Sequence, residues 1–275
     1  MTNGAGQPTW DDYAVDYELV HEPLTGQFAR AALAHVPVAA GQQVLDVAAG
    51  PGTLAVLAAA AGAAATGIDS SPRMIARLNS RLREGGRAGS QGLVMDAQRL
   101  DFADAAFDAV FCVFGIMVIA NYRAALAEMA RVTKPGGRTA VVMWNGLDRM
   151  EHVQVWLRAV AAAVPQFQPP PPPESWTVLQ NGESLRRVIE EAGYAEVDIH
   201  TEQRWWDVPS PAWFAGHADL SPAAESLYRA LGSGARAAVR RELERQLRLR
   251  YGDGPFRLAA EAHIAVGSRH QSRAS

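Results

Sequence analysis

Short apolar runs alternate along the chain with longer segments whose apolar residues recur every three to four positions, the pattern of a parallel sheet with helices on both faces. The runs near 43–48, 64–69, 91–95, 107–114 and 138–144 predict five strands, and those near 195–204 and 261–268 predict two more. Three Ser-Pro pairs mark helix starts, in SSPRM (70–74), SPAWF (210–214) and SPAAE (221–225). In each the serine can accept from amides of the first turn, and proline suits the turn it opens. The KPGG at 134–137 does the opposite, ending a helix from about 121 to 133 and turning the chain into the next strand. Residues 235–252 read as an amphipathic helix with Val239, Leu243, Leu247 and Tyr251 facing a core. Its six arginines form a solvated face or attract an anionic acceptor.

After Trp144 the organisation changes. PQFQPPPPP (165–173) holds five consecutive prolines that cannot continue a helix or a ladder, so it should be an extended spacer within an insertion. The polar tail from 268 is expected to be disordered at its end.

Composition narrows the classes. At 275 residues, 48% hydrophobic and 20% charged, the chain is a soluble globular protein, one main domain carrying an addition. A net charge of -3 leaves no broad positive field for nucleic acid. The single Cys112 cannot form an internal disulfide, and the start MTNGAGQPTWDDY lacks the regions of a secretory signal, so a cytoplasmic location is expected. The most apolar segment, 107–120, is interrupted by Asp108 and is shorter than the roughly 20 residues of a membrane-spanning helix. No Cys or His cluster has metal-ligand spacing, and no metal is expected.

The stretch VLDVAAGPGTLA (44–55) carries the chemistry. If it is a strand, a turn and a helix, Gly50 and Gly52 lie beside the orphan amides of the helix start, where small residues let a ligand touch backbone. A tight strand-to-helix crossing needs small residues there too. Two further acids bear on the choice: Asp69 ends the second strand, 17 residues after Gly52, and Asp96 ends the third. In a parallel sheet all carboxyl ends open on one edge, so Asp46, Asp69 and Asp96 would converge on one crevice.

Taken together, VLDVAAGPG, GIDSSPRMI, VMDAQRL, FDAVFCVFGIMVI and VTKPGGRTAVVMW resemble the class I S-adenosylmethionine-dependent methyltransferases, over about residues 40–145. The branch it looks most like holds the ubiquinone and menaquinone biosynthesis enzymes and many small-molecule methyltransferases of secondary metabolism. The resemblance implies a Rossmann-like, seven-stranded, mostly parallel sheet with S-adenosylmethionine as cofactor. Asp46 then matches the acid of the first motif, near the methionine amino group, and Ala48, Gly50 and Gly52 match its three small positions. Ala48 departs from the usual glycine; the backbone of Ala48 and Gly50 would run along the methionine portion. Asp69 matches the acid that binds the ribose hydroxyls, with Ser70 and Met74 beside the adenine. Asp96 matches the acid that accepts from the adenine amino group, Ala97 offers an amide to a ring nitrogen, and Val113 and Phe114 line the floor under the sulfonium. Cys112 reads as a small buried hydrophobe. The sequence Gly50-x-Gly52-x-x-Ala55 also satisfies the dinucleotide fingerprint, but an NAD(P)-dependent oxidoreductase gives no role to Asp96.

Four segments are expected: a helical lid at 1–35, the cofactor-binding core at 36–148, an acceptor-side insertion and cap with strand 6 at 149–258, and the last strand and tail at 259–275. Trp10, Tyr13, Tyr17, Leu24 and Phe28 recur near helical spacing, which suits a stripe packed on the domain or a lid bringing Tyr13 or Tyr17 to the sulfonium. Trp176, Trp205, Trp206, Trp213, Phe214 and Phe256 serve either a second small core or the lining of a partly apolar acceptor site, for a quinone, polyketide, terpenoid or aromatic ring. His152 is the candidate general base; His217 is the next choice, with His21 and His263 less well placed and the last expected inside a strand. Because fold does not fix activity, a methyltransferase-fold protein that catalyses a cyclisation or only binds a partner is the competing reading.

Overall fold

The structure, a computed structural model, describes residues 9–231 and 234–270. The end of the tail expected to be disordered, 271–275, lies outside the described residues. The described residues open with a tight turn at Trp10–Tyr13 and continue through α1 (Tyr17–Val20), α2 (Glu22–His35), β1 (Gln43–Val47), α3 (Thr53–Ala60), β2 (Ala64–Asp69) and α4 (Pro72–Glu84). It goes on to β3 (Gln91–Val94), β4 (Phe107–Val113), α5 (Tyr122–Val132), β5 (Thr133–Trp144), α6 (Glu151–Ala163), α7 (Glu174–Leu179) and α8 (Gly182–Glu191). The final elements are β6 (Tyr194–Val208), α9 (Pro211–His217), α10 (Pro222–Leu231), α11 (Ala235–Tyr251) and β7 (Phe256–Arg269).

Among the described residues seven strands form one sheet in the order β3-β2-β1-β4-β5-β7-β6. The ladders joining β1 to β5 are parallel, and β7 runs antiparallel to β5. This is a Rossmann-like fold, and its strand order reverses between β1 and β4, where open α/β sheets bind ligands beyond the carboxyl ends of the strands. All seven expected strands are present, β6 and β7 extending several residues beyond the apolar runs.

The helix starts follow the Ser-Pro signals. Ser71 accepts from Met74 N at 3.1 Å, Ser210 from Trp213 N at 3.1 Å and Ser221 from Ala224 N at 3.2 Å. Asn121 caps α5 by accepting from Ala124 N at 3.1 Å. The KPGG segment differs from a simple turn. Thr133 pairs with Phe107 and the ladder resumes at Arg138 opposite Ala109, so Lys134–Gly137 bulges out of a strand that has already begun. Gly136 has φ +76°, and a Cβ at Gly137 would lie 2.9 Å from the carbonyl oxygen of Asp108, so both glycines are needed there.

The aromatic N-terminal stretch is also broken rather than continuous. A helix running from α1 into α2 would need an amide hydrogen from Pro23 to the preceding turn, and proline has none. The chain stops α1 at Val20 and restarts at Glu22.

The chain forms two compact units. The larger comprises Thr25–Asn145, Pro173–Glu202 and Ala262–Ser275; in it α4 packs on β2 and β3, and α3 on β1 and β2. The smaller comprises Met1–Leu24, Gly146–Pro172 and Gln203–Glu261. Its core is α11 packed against α6 and α9, with Val239, Leu243 and Leu247 buried. The α11 arginines are largely paired. Arg240 reaches both oxygens of buried Asp219 at 2.8 Å, Arg236 joins it at 3.2 Å, and Arg245, Arg248 and Arg250 meet Glu242, Glu244 and Glu151. The proline run has no regular structure until α7 begins at Glu174, and residues 168–174 are exposed throughout. No helix among the described residues is long and apolar enough to cross a membrane.

Candidate active site

The register sets the site. Asp46 on β1 lies opposite Gly67 on β2 and Phe111 on β4, while Asp69, the last residue of β2, lies opposite Val94, two positions before Asp96. The three acids therefore end adjacent strands at one edge of the larger unit.

Between β1 and α3 the backbone turns through three left-handed residues at alternate positions, Ala48 (φ +54°), Gly50 (φ +55°) and Gly52 (φ +84°). The two glycines serve different ends. A Cβ on Gly52 would strike Leu78 Cδ1 at 2.0 Å, so Gly52 lets α4 seat its buried leucine against α3, the packing role weighed for these small residues. A Cβ on Gly50 would meet nothing within 4 Å, and its amide donates to Asp69 Oδ2 at 2.9 Å. Gly50 is the bare position. Ala48 takes its left-handed conformation without glycine's freedom and is tolerated because position 115 has no side chain; a Cβ on Gly115 would lie 2.3 Å from that of Ala48.

The acids differ in environment. Asp46 is 2% exposed and accepts from Ala55 N, in the first turn of α3, at 3.1 Å. Burial pushes its carboxyl up to about 7, against the Ala55 bond and with help from the Asp69 charge. Asp69 is half buried, and each oxygen takes one amide at 2.9 Å, Gly50 N on Oδ2 and Ser71 N on Oδ1. Carboxylate oxygens accept more than one hydrogen bond, so this fixed orientation still suits two hydroxyl donors. Asp96 is exposed and accepts from the backbone and side chain of Gln98, which hold it below the usual carboxylate range.

Around them, Ser70 is exposed, Met74 is 1% exposed and packed into the core, and Ala97 is buried. Val113 ends β4, and Phe114 follows with φ +59°. The Phe114 ring stacks on Trp144 at 3.8 Å, and Phe28 meets both rings edge-on at 5.4 and 5.6 Å. Cys112 is fully buried, and burial raises its thiol to about 12, which makes it inert as a nucleophile.

Tyr13, Tyr17 and His152 belong to the smaller unit. Tyr17 lies 5.9 Å from Trp10 and 5.2 Å from His21, and burial raises the Tyr13 phenol, with Glu225 adding to it. His152 is in the first turn of α6, edge-on to Trp206 at 5.7 Å; burial, then the nearby His21, lowers it to about 4. His21 Nε2 is 2.8 Å from Leu220 O, and burial lowers it too. His217 stacks on Trp213 at 4.5 Å, while His263 lies inside β7, 2.9 Å from Thr201 Oγ1. Sequence reasoning did not single out Gln98, Trp144 or the electrostatic effect of His21 on His152. Each depends on a partner distant along the chain; only the Asp-x-Gln spacing at 96–98 was a local signal.

A Methyltransferase domain family matches residues 44–137. An uncharacterised protein of Mycobacterium tuberculosis is 35% identical over 135 residues, 47% of each chain, so the match spans about half of that relative. A demethylmenaquinone methyltransferase of Beutenbergia cavernae is 32% identical over 232 residues, 80% of this chain and 88% of its own. The chain belongs to the class I S-adenosylmethionine-dependent methyltransferases. Solved structures share the fold: the YcgJ protein of Bacillus subtilis (TM-score 0.55, 18% identity, covering 92% of this chain and all of its own) and the [4+2]-cyclase SpnF (TM-score 0.53, 22% identity, covering 90% and 82%). The family's cofactor fits the residues present. The open space at Gly50, with the Asp69 carboxylate fixed beside it, accommodates close approach of a nucleoside.

Proposed function

We propose that this protein transfers a methyl group from S-adenosylmethionine to a small, partly apolar acceptor, with a quinol or related phenol as the leading class. The observation carrying this reading is the Asp69 carboxylate locked by the Gly50 and Ser71 amides beside an unfilled backbone turn. The acceptor class is supported by the demethylmenaquinone methyltransferases among the relatives.

In this reading Asp69 holds the ribose hydroxyls, Asp96 and the Ala97 amide hold the adenine edge, and Ser70 flanks the base, while Met74, expected beside it, stays in the core. The backbone of Ala48 and Gly50 binds the methionine portion, with Asp46 near its amino group; Gly52 keeps the turn seated on α4. Val113 and Phe114 form the floor beneath the reacting methyl, stiffened by Trp144 and Phe28. The cofactor supplies an electrophilic methyl on positive sulfur, so the protein's main tasks are alignment and exclusion of water. Tyr13 or Tyr17 would supply the aromatic contact of an N-terminal lid, and His152, kept neutral by burial, is the candidate base for the acceptor's hydroxyl proton.

Calorimetry with S-adenosylhomocysteine tests the cofactor half: Asp69→Ala should weaken binding by about 100-fold while the protein stays folded, since two charge-assisted hydrogen bonds are lost. Unchanged affinity would overturn the assignment. Labelled cofactor with a panel of demethylated quinols and phenols tests the acceptor half. Tight binding with no label transferred to any acceptor would instead favour a cyclase or binding role, a reading that the fold shared with SpnF keeps in view.

A further inference from the structure

We infer that Gln98 is a positioning residue: it fixes the Asp96 carboxylate in one orientation and so sets the preference of the site for a purine bearing a 6-amino group. This rests on the assignment of Asp96 to the adenine edge. Asp96 is an exposed residue just past the end of a short edge strand, where a carboxylate would otherwise rotate freely. Gln98 prevents that from two directions. Its backbone amide donates to Asp96 Oδ1 at 2.9 Å, and its side-chain Nε2 donates to Oδ1 at 3.0 Å and Oδ2 at 3.2 Å.

The amide itself cannot turn over. Its Oε1 accepts from the backbone amide of Asn121 at 3.0 Å, and a backbone N–H can only donate. The side facing Asn121 must therefore be oxygen and the side facing the carboxylate must be NH2, which settles the assignment that distance alone leaves ambiguous. Asn121 is in turn the cap of α5. The same helix ties the far side of the segment: Glu128 accepts from Leu100 N at 2.7 Å, and Arg131 donates to the carbonyl oxygens of Leu100 and Phe102 at 2.9 and 2.8 Å.

An ionised carboxylate held this way only accepts hydrogen bonds. It welcomes an exocyclic amino group and repels the lone pairs of a 6-oxo purine. Arg99 is the neighbouring cation that acts on Asp96, and it favours the same ionised form.

The test is calorimetry on the full chain with S-adenosylhomocysteine and S-inosylhomocysteine, comparing wild type, Q98A, Q98E and D96N, with thermal melts as a fold check. Wild type should prefer the adenosyl compound by about 100-fold. Q98A should cut that ratio about tenfold, and D96N should abolish or reverse it, because Asn can donate to a 6-oxo group. Q98E places two carboxylates together; its affinity should be poor at about pH 8 and recover towards about pH 5.5, where a protonated Glu can donate as the amide did, while wild type stays level. If Q98A weakens both compounds by the same factor while D96N abolishes the ratio, Gln98 is merely structural and the inference falls. If D96N keeps the wild-type ratio, the adenine assignment of Asp96 falls and the inference with it.

Discussion

Ala48 holds a left-handed backbone with a side chain that the turn does not favour, and position 115 makes room for it. Ala48→Gly should therefore raise stability by about 1 kcal/mol in denaturant melts. Gly115→Ala should cost about 1–3 kcal/mol through overpacking, and the double variant should cost less than Gly115→Ala alone, since the clashing methyl is gone. Two buried ionisable side chains act on stability in opposite senses. For Asp46, folded near 7 and unfolded near about 4, the native state keeps a proton that the unfolded chain has released, so stability falls as pH rises through that window. His152 is folded near 4 and ordinarily near 6.5; there the unfolded chain binds the extra proton, and stability falls as pH drops from 6.5 towards 4. The two partly cancel in wild type. Relative to wild type, Asp46→Asn should make stability rise more steeply with pH between about 4 and 7, and His152→Phe should make it fall more steeply between about 4 and 6.5, with His21, also lowered by burial, still opposing Asp46 in the second variant. Changes of slope of the same sign in both variants would contradict this account.

At the scale of elements, α5 acts as a clamp on the segment that follows β3. Arg131 bonds Glu128, Asp104 and the carbonyl oxygens of Leu100 and Phe102. Arg131→Ala should cost about 2 kcal/mol and accelerate hydrogen exchange from Leu100 to Ala106, leaving β1 and β4 protected. Most element boundaries were legible because they rest on local chemistry: Ser71, Ser210 and Ser221 cap the helices that their Ser-Pro pairs announce. The Lys134–Gly137 bulge was not, since a turn and an excursion within a ladder use the same residues and differ only in whether Thr133 finds Phe107. Pro23 was a readable break that the aromatic spacing around it obscured.

For the whole molecule, the fold and the convergence of three acids followed from strand periodicity, because parallel strands bring their carboxyl ends to one edge whatever lies between them. The division of labour between Gly50 and Gly52 required knowing where Leu78 sits, and the His21–His152 proximity joins side chains from well-separated segments of the smaller unit. Such facts are tertiary and leave no periodic trace.

The order β5-β7-β6 also governs how the chain matures on the ribosome. The strand that completes the sheet emerges after the one it must separate from β5, so until Phe256–Arg269 leaves the exit tunnel, β6 has no neighbour to zip against. Nascent chains should linger with that strand bare, and this is the interval in which holding by a chaperone matters most.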